Sequence, residues 1–292
     1  MAGYGGEESR PEPPLDSASV VVLPIDERPY TECEAYRIGS DAYIPDADGL
    51  PIRIYDGEYH HNPVNTSQAG LEWLACYRET NDPWYLEHAI KAGHRLIETA
   101  HDFDGAMFFP YLFDYSIHGT SAYSLVAPWY SGMAQGQALS LFSRLGEQTS
   151  EPEWEAAAAA TLASFHHVRG EDAPWIIDVD EDNSAWIEEY PSDFESHVLN
   201  GFMFAMFGLY DYYAWRGDPF AKKVFLQTLH TLRRNVESFR NPGAISVYCL
   251  SHRRKSNGYH AIHIGQLQAI TLMTEDPYFA SVADMFLEDY AP

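Results

Sequence analysis

Apolar and small residues recur at helical spacing in four similar stretches. They begin QAGLEWLACYRETNDPWYLEHA at Gln68, GQALSLFSRLGEQTSEPEWEAA at Gly136, GFMFAMFGLYDYYAWRGDPFAKKV at Gly201 and GQLQAITLMTEDPYFASVA at Gly265. Gly70, Gly136, Gly201 and Gly265 are spaced by 66, 65 and 64 residues. Repetition at this period marks an array of supersecondary units. Each unit reads as a helix, a short turn and a second helix. The first helix is rich in apolar and small residues, as a buried inner helix should be. The second carries more charge, such as Glu87, Lys91 and Arg95, as an outer helix should.

Three second helices open with Asp-Pro: Asp82-Pro83, Asp218-Pro219 and Asp276-Pro277. The Asp oxygen accepts a free backbone N–H, and Pro at the first helical position has no N–H to leave unpaired. In the remaining unit, Ser150-x-x-Glu153 reads as a capping box. The expected fold is mainly α: an (α/α) toroid or barrel of about four helix hairpins, complete or open. A plain helical solenoid is the alternative.

The turns within hairpins are short and share one face. The long connections, 102–128, 168–195 and 241–259, then lie on the opposite face, where long ordered loops usually carry function. Two of them read as small β-hairpins: WIIDV and SAWIEEY around DEDN, and AISVYCL and YHAIHI around Asn257-Gly258. PIRIYDGEY, ahead of the first repeat, also alternates like a strand. The expected organisation is a disordered acidic tail over 1–20, a short β-containing segment over 21–60, and the helical (α/α) barrel domain over 61–292.

Charge narrows the partners. The 292 residues carry 18 basic and 43 acidic side chains, a net charge of −25. Such a chain repels nucleic acid and anionic membranes. No apolar run reaches membrane-span length, and the N-terminus has neither the basic nor the apolar region of a signal peptide. Cys33, Cys76 and Cys249 are odd in number and far apart, so neither a disulfide framework nor a Cys-rich zinc site is expected. A cytoplasmic, reducing location fits these features.

The loop face gathers chemistry-bearing residues. Tyr59, His60 and His61 precede repeat one, and Trp129 and Tyr130 precede repeat two. Glu188, Glu189 and Tyr190 precede repeat three. Tyr248, His252, Arg253, Arg254, Lys255, Tyr259, His260 and His263 precede or open repeat four. A single Tyr there is usually packing, and an acidic pair is usually solvated. The i, i+3 pair His260 and His263 lacks a companion metal motif, so no metal and no cofactor is expected. The run Arg253-Arg254-Lys255 stands out in a chain this poor in cations, and it fits an anionic ligand. Together, aromatics, histidines, carboxylates and cations on one face point to acidic carbohydrate chemistry.

Several motifs, in order, resemble the D-glucuronyl C5-epimerase family over roughly 55–290. Trp129-Tyr130-Ser131-Gly132-Met133-Ala134-Gln135-Gly136-Gln137 is similar to its WYSxMAQGQ motif. Glu189-Tyr190-Pro191 with Val198-Leu199-Asn200-Gly201-Phe202-Met203 is similar to EYP…VLNGFM. Tyr259-His260-x-x-His263-Ile264-x-Gln266-Leu267 is similar to YHxxHINQL. The resemblance implies an (α/α) barrel and inversion at C5 of a hexuronic acid within a polysaccharide, D-glucuronate to L-iduronate. It implies catalytic roles for Tyr190, Tyr248 and Tyr259, with Glu189, Asn200, His252 and His263 matching beside them. Adding the loop-face residues, the substrate-binding candidates are Trp129, Tyr130, Gln135, Asn200, Arg253, Arg254 and His260. One departure falls at Tyr248-Cys249-Leu250-Ser251-His252, where the family pattern reads YDLRH.

C5 inversion removes a proton α to a carboxylate on one ring face and returns one on the other. Tyrosine, with a reference pKa of about 10, needs help to act as a base. His260 beside Tyr259, and His252 near Tyr248, are expected to favour the phenolate. Rival readings are a polysaccharide lyase, a glycoside hydrolase using a pair among Glu188, Glu189, Asp178 and Asp180, and a non-catalytic glycan-binding module. The expected partner is a glucuronate-containing polysaccharide or oligosaccharide, and a homodimer is compatible with the sequence. Acidic excess with lysine only at Lys91, Lys222, Lys223 and Lys255 suits a halophilic setting. In that setting the melting temperature rises in molar KCl, which a thermal scan with and without salt measures.

Overall fold

The computed structural model describes residues 19–33, 44–120 and 122–291. Four helix hairpins follow one another: α1 (Pro63–Thr80) with α2 (Pro83–Thr99), α3 (Gly132–Thr149) with α4 (Pro152–Ala163), α5 (Leu199–Arg216) with α6 (Pro219–Asn235), and α7 (Tyr259–Thr274) with α8 (Pro277–Asp289). The first helix of each pair is inner, the second outer. Inner helices pack in chain order, α1 on α3, α3 on α5 and α5 on α7, which makes the molecule an (α/α) toroid.

One local device builds every hairpin. Each inner helix ends on a residue in the left-handed region: Asn81 (φ 57°), Ser150 (φ 59°), Gly217 (φ 67°) and Glu275 (φ 53°). The next residue is already the N-cap of the outer helix, with Pro after it. Asp82, Asp218 and Asp276 each accept backbone N–H bonds at 2.9–3.0 Å. The capping box expected at Ser150 does not form. Ser150 is spent on terminating α3, and Glu151 becomes the N-cap without a side-chain bond.

Small residues set the ring's tightest crossing. An added Cβ at Gly136 would lie 2.2 Å from the Ala205 Cα, and one at Gly208 would lie 2.1 Å from the Gly136 carbonyl oxygen. The backbones of α3 and α5 therefore touch. Gly265, at the equivalent place in the fourth repeat, has open space around it.

The segment 19–33 straps the short-turn face. Val21 N–H donates to the Met273 carbonyl at 2.8 Å, and the Tyr210 hydroxyl donates to Val21 O (2.7 Å) and accepts from Leu23 N (2.9 Å). Arg28 pairs with Glu147 at 2.9 Å. Tyr30 plugs the ring between Phe204 and Phe207, with Arg144 over its face and bonded to buried Asp211. Cys33 closes the strap in a disulfide with Cys76 of α1.

One disulfide thus forms in a chain whose odd, widely spaced cysteines led to no expected disulfide framework. The partners are 43 residues apart, and the strap's path brings them together. A disulfide belongs with oxidising surroundings, so the reducing, cytoplasmic reading loses its basis. The expected tail over 1–20 falls outside the described residues up to 18, whereas Ser19 is docked, donating to Thr274 O at 2.8 Å. Among the described residues no helix is long and apolar enough to cross a membrane.

The opposite face carries short strands. β1 (Ile44–Pro45), β2 (Pro51–Tyr55) and β3 (Glu58–His61) form one antiparallel sheet. Its β2–β3 turn is Asp56-Gly57, both at positive φ, as tight hairpins require. The 100–131 connection folds into β4 (His101–Phe103) with β5 (Ala106–Phe108), then nested pairs β6 (Pro110–Tyr111) with β9 (Trp129–Tyr130) and β7 (Tyr115–Ser116) with β8 (Ser124–Leu125). β10 (Ile177–Val179) pairs with β11 (Ala185–Ile187) around the DEDN turn, as expected. The second expected hairpin is absent. YHAIHI forms the first turns of α7, burying His260, His263, Ile264 and Leu267 on one helical face. Residues 244–250 make only isolated bridges, Val198 to Cys249 and Val247 to Lys255.

Gly136→Ala should destabilise the fold by about 2–3 kcal/mol, because backbone cannot yield as a side chain can. Gly265→Ala, at the matching repeat position, should stabilise by about 0.5–1 kcal/mol through helix propensity alone. Urea unfolding midpoints of the two variants check the pair.

Candidate active site

The long connections and the N-terminal ends of the inner helices surround a cavity of about 500 Å³. A neighbouring hollow of about 410 Å³ shares Tyr115, Tyr190 and Tyr259 with it. Arg53 and Tyr55 reach the cavity from alternate positions of β2. Trp129 stacks on its cross-strand partner Tyr111 at 3.8 Å, and its indole N–H is held by the Phe113 carbonyl at 2.9 Å. Asn200, on the first turn of α5, lines the same wall.

Where the two hollows adjoin lies a chain of hydroxyls ending in a carboxyl group. The Tyr190 and Tyr248 hydroxyls are 3.1 Å apart, and Tyr248 donates to Glu189 Oε1 at 3.0 Å. The Tyr259 ring lies 4.8 Å from that of Tyr248. Backbone pairing fixes Tyr248: its carbonyl accepts from Leu199 N at 3.1 Å, and its N–H donates to Arg254 O at 2.6 Å. Gly201 makes room for the acid, since a Cβ there would lie 2.3 Å from Glu189 Oε2. That oxygen and Asn200 Oδ1 are buried with no hydrogen-bond partner among the described residues.

Burial pushes the Glu189 pKa up from 4.5 to about 7, against the Tyr190 and Tyr248 hydrogen bonds that pull it down, and with the Glu188 charge raising it further. Burial and then the Glu189 charge push Tyr259 up to about 12 and hold Tyr248 and Tyr190 well above 10. The Arg53 charge works the other way on Tyr259 and Tyr115. The expectation of histidine-stabilised phenolates therefore fails. His252 is lowered by burial and by Arg254, and it faces Cys249 rather than a tyrosine hydroxyl. His260 accepts from Ser246 N at 2.9 Å and pairs with Tyr290 O at 2.8 Å. Burial and the Glu189 charge favour the neutral phenols, and the carboxyl group hydrogen-bonded to Tyr248 is Glu189.

Other sequence candidates sit elsewhere. Gln135 is buried glue, donating to Met107 O and Ser164 Oγ and accepting from Phe109 N. The Tyr130 hydroxyl meets His101 at 2.8 Å in a separate hollow. His263 is fully buried against Ser246 Oγ at 2.8 Å, and burial, then His260, drives its pKa down to about 3. Arg253 donates to Ser238 O at 3.1 Å and lines neither hollow. Arg254 and Lys255 do line the second one. Arg53, Tyr55, Tyr111, Tyr115 and His118 escaped the sequence reading. Only Arg53 and Tyr55 left a signal, as alternate residues of a recognised strand.

Of the carboxylates proposed for a hydrolase, Glu189 belongs to the hydroxyl chain and the other three are engaged elsewhere. Glu188 accepts from Ser196 Oγ at 2.9 Å and meets His197 Nδ1 at 2.5 Å. Asp178 pairs with Arg169 at 3.0 Å, and Asp180 holds its own turn.

The fold is a helical toroid with an acid-and-tyrosine cavity at one end, and sequence comparison gives its family. The family model described as D-glucuronyl C5-epimerase C-terminus matches residues 101–288. The chain belongs to that family. A D-glucuronyl C5-epimerase of Caenorhabditis elegans is 26% identical over 189 residues, covering 56% of this chain and 29% of that protein. The chain thus matches under a third of that relative's length. Among solved structures, cellobiose 2-epimerase from Spirochaeta thermophila has a TM-score of 0.58 at 14% identity, covering 84% of this chain and 64% of that one. A GH76 alpha-mannanase of Bacteroides thetaiotaomicron has a TM-score of 0.53 at 15% identity, covering 83% and 58%. These likenesses establish the toroid fold.

Glu189 links stability to pH. Its folded pKa lies above its unfolded one, so the folded state holds the proton more tightly. Stability from this group is full below pH 4.5 and falls as pH rises to about 7, by about 3 kcal/mol. Glu189→Gln should match the parent near pH 4.5 and exceed it at pH 8, as denaturation at the two pH values would reveal.

Proposed function

We propose that this chain inverts C5 of a hexuronic acid residue in a glycan, converting D-glucuronate to L-iduronate. The observation that carries this reading is the meeting of Tyr190, Tyr248 and Tyr259 with buried Glu189 where the two hollows adjoin. Family membership supports it. The substrate is a glucuronate-containing polysaccharide or oligosaccharide. Trp129 and Tyr111 offer a stacking wall for sugar rings, and Arg53 offers a cation for the uronate carboxylate.

The C5 proton is α to that carboxylate, so its removal places negative charge on the carboxyl oxygens. Tyr248 takes this proton while passing its own hydroxyl proton to Glu189 Oε1. The relay spares Tyr248 a free phenolate, which burial opposes. Tyr190 orients Tyr248 through the hydroxyl contact. Tyr259 stands outside that bonded pair and returns a proton to C5 on the other face; Glu189 then gives its proton to water as Tyr259 recovers one from water, so both groups are restored. Net, one C5–H bond breaks and another forms with opposite configuration.

Proton NMR of glucuronate-containing oligosaccharides in D₂O and high KCl tests the scheme. The parent protein should place deuterium at C5 and produce iduronate signals. Tyr248→Phe should lose both, with a rate loss of about 10²–10⁴. Tyr259→Phe should retain exchange and lose inversion. Intact turnover in all three Tyr→Phe variants would refute the mechanism. An unsaturated product absorbing in the ultraviolet would move the reading to β-elimination.

A further inference from the structure

The wall behind Tyr248 holds a second cluster that the epimerase chemistry does not use. His118 Nε2 lies 3.3 Å from Cys249 Sγ, and Cys249 Sγ lies 3.6 Å from His252 Nδ1. The three donor atoms fall within 4.8 Å of one another. His118 comes from the 3-10 turn Ile117–Gly119, and the other two come from the loop before α7. The backbone of His118 is in the left-handed region, φ 57°. Such a conformation at a non-glycine residue costs energy and persists where its surroundings impose it.

We infer that His118, Cys249 and His252 form a binding site for a zinc-class divalent cation. Tetrahedral zinc with Zn–S of about 2.3 Å and Zn–N of about 2.0–2.1 Å separates S from N by about 3.5 Å. The observed 3.3 and 3.6 Å bracket that spacing, and the two histidine nitrogens lie within 4.8 Å of each other, close enough for one ion to draw them together. Nitrogen and sulfur donors select zinc-like ions over calcium or magnesium, which take oxygen. Around the site, the His252 ring is held by Tyr123 and Phe194, with centroids at 4.5 and 5.5 Å. Packed rings of this kind orient ligands and exclude water. Arg254 lies close, its Nη2 donating to the His118 carbonyl at 3.5 Å. Ionisation of the Cys249 thiol on binding offsets that positive charge, and the released proton goes to solvent.

Three ligands leave a fourth position. His118 lines the second hollow beside Tyr248, its ring 5.9 Å from the tyrosine, so water or an anionic oxygen can complete the shell. The bound cation would tie the 117–119 turn to the loop that carries Tyr248. This revises the expectation of no metal, which rested on neighbouring residues. His118 and Cys249 are 131 positions apart.

Cobalt(II) titration of chelator-treated protein tests the site. Cys33 and Cys76 are joined, so Cys249 is the free thiol. A thiolate-to-cobalt charge-transfer band has one source. The expected result is tetrahedral visible bands and a near-ultraviolet band, both saturating at a single equivalent, with zinc displacing cobalt and one proton released. Cys249→Ser should abolish the near-ultraviolet band. His118→Ala and His252→Ala should each weaken zinc binding at least about tenfold, with circular dichroism confirming that the variants fold. Absence of a charge-transfer band in the parent protein, or its survival in Cys249→Ser, would overturn the assignment and leave the cluster a hydrogen-bonded trio.

Discussion

The contact of α3 with α5 is the constraint on which the molecule depends. Where Gly136 and Gly208 let two backbones touch, no side chain can intervene, and the crossing becomes rigid. That crossing fixes how α5 starts relative to the loops before α3. The first turn of α5 carries Asn200 and Gly201, and Gly201 receives the Glu189 carboxyl group. A few missing methyl groups thus determine where a buried acid can lie.

The acid then dictates the electrostatics of the cavity. Buried beneath two phenols, Glu189 raises their proton affinity and has its own raised in turn by desolvation. A tyrosine in this setting is a poor free base. Passed along a hydrogen bond to an acid whose pKa is near 7, a proton can still leave it. Arg53 offers charge complementarity without belonging to the exposed basic run, most of which points elsewhere or lines only the second hollow.

The two ends of the ring do different work. At the short-turn end, the 19–33 strap, Tyr30 and the Cys33–Cys76 disulfide close the axis. At the other end, strands only two to five residues long stack aromatics around an opening. Ordered loops on a rigid helical scaffold are a common seat for chemistry. The His118, Cys249 and His252 cluster belongs to the same end, where it can brace the loop that presents Tyr248.

Much of the fold was legible in the sequence because its causes are local. Helical periodicity, Asp-Pro caps and a repeat near 65 residues determine the hairpins and their inner and outer faces. The motifs around Trp129, Glu189-Tyr190 and Tyr259 place tyrosines and an acid on one end for the same reason: a connection's face follows from hairpin alternation. Tertiary structure alone decided the rest. Gln135, His260 and His263 are polar residues at motif positions, yet their partners are buried backbone and side-chain groups that no local pattern reveals. YHAIHI suits strand and helix alike until burial of one face selects α7. Arg53 comes to the tyrosine cavity, Cys33 meets Cys76, and His118 meets Cys249 only through the path of the whole chain. Contacts between residues tens to more than a hundred positions apart depend on the geometry of packing, which adjacent residues do not encode.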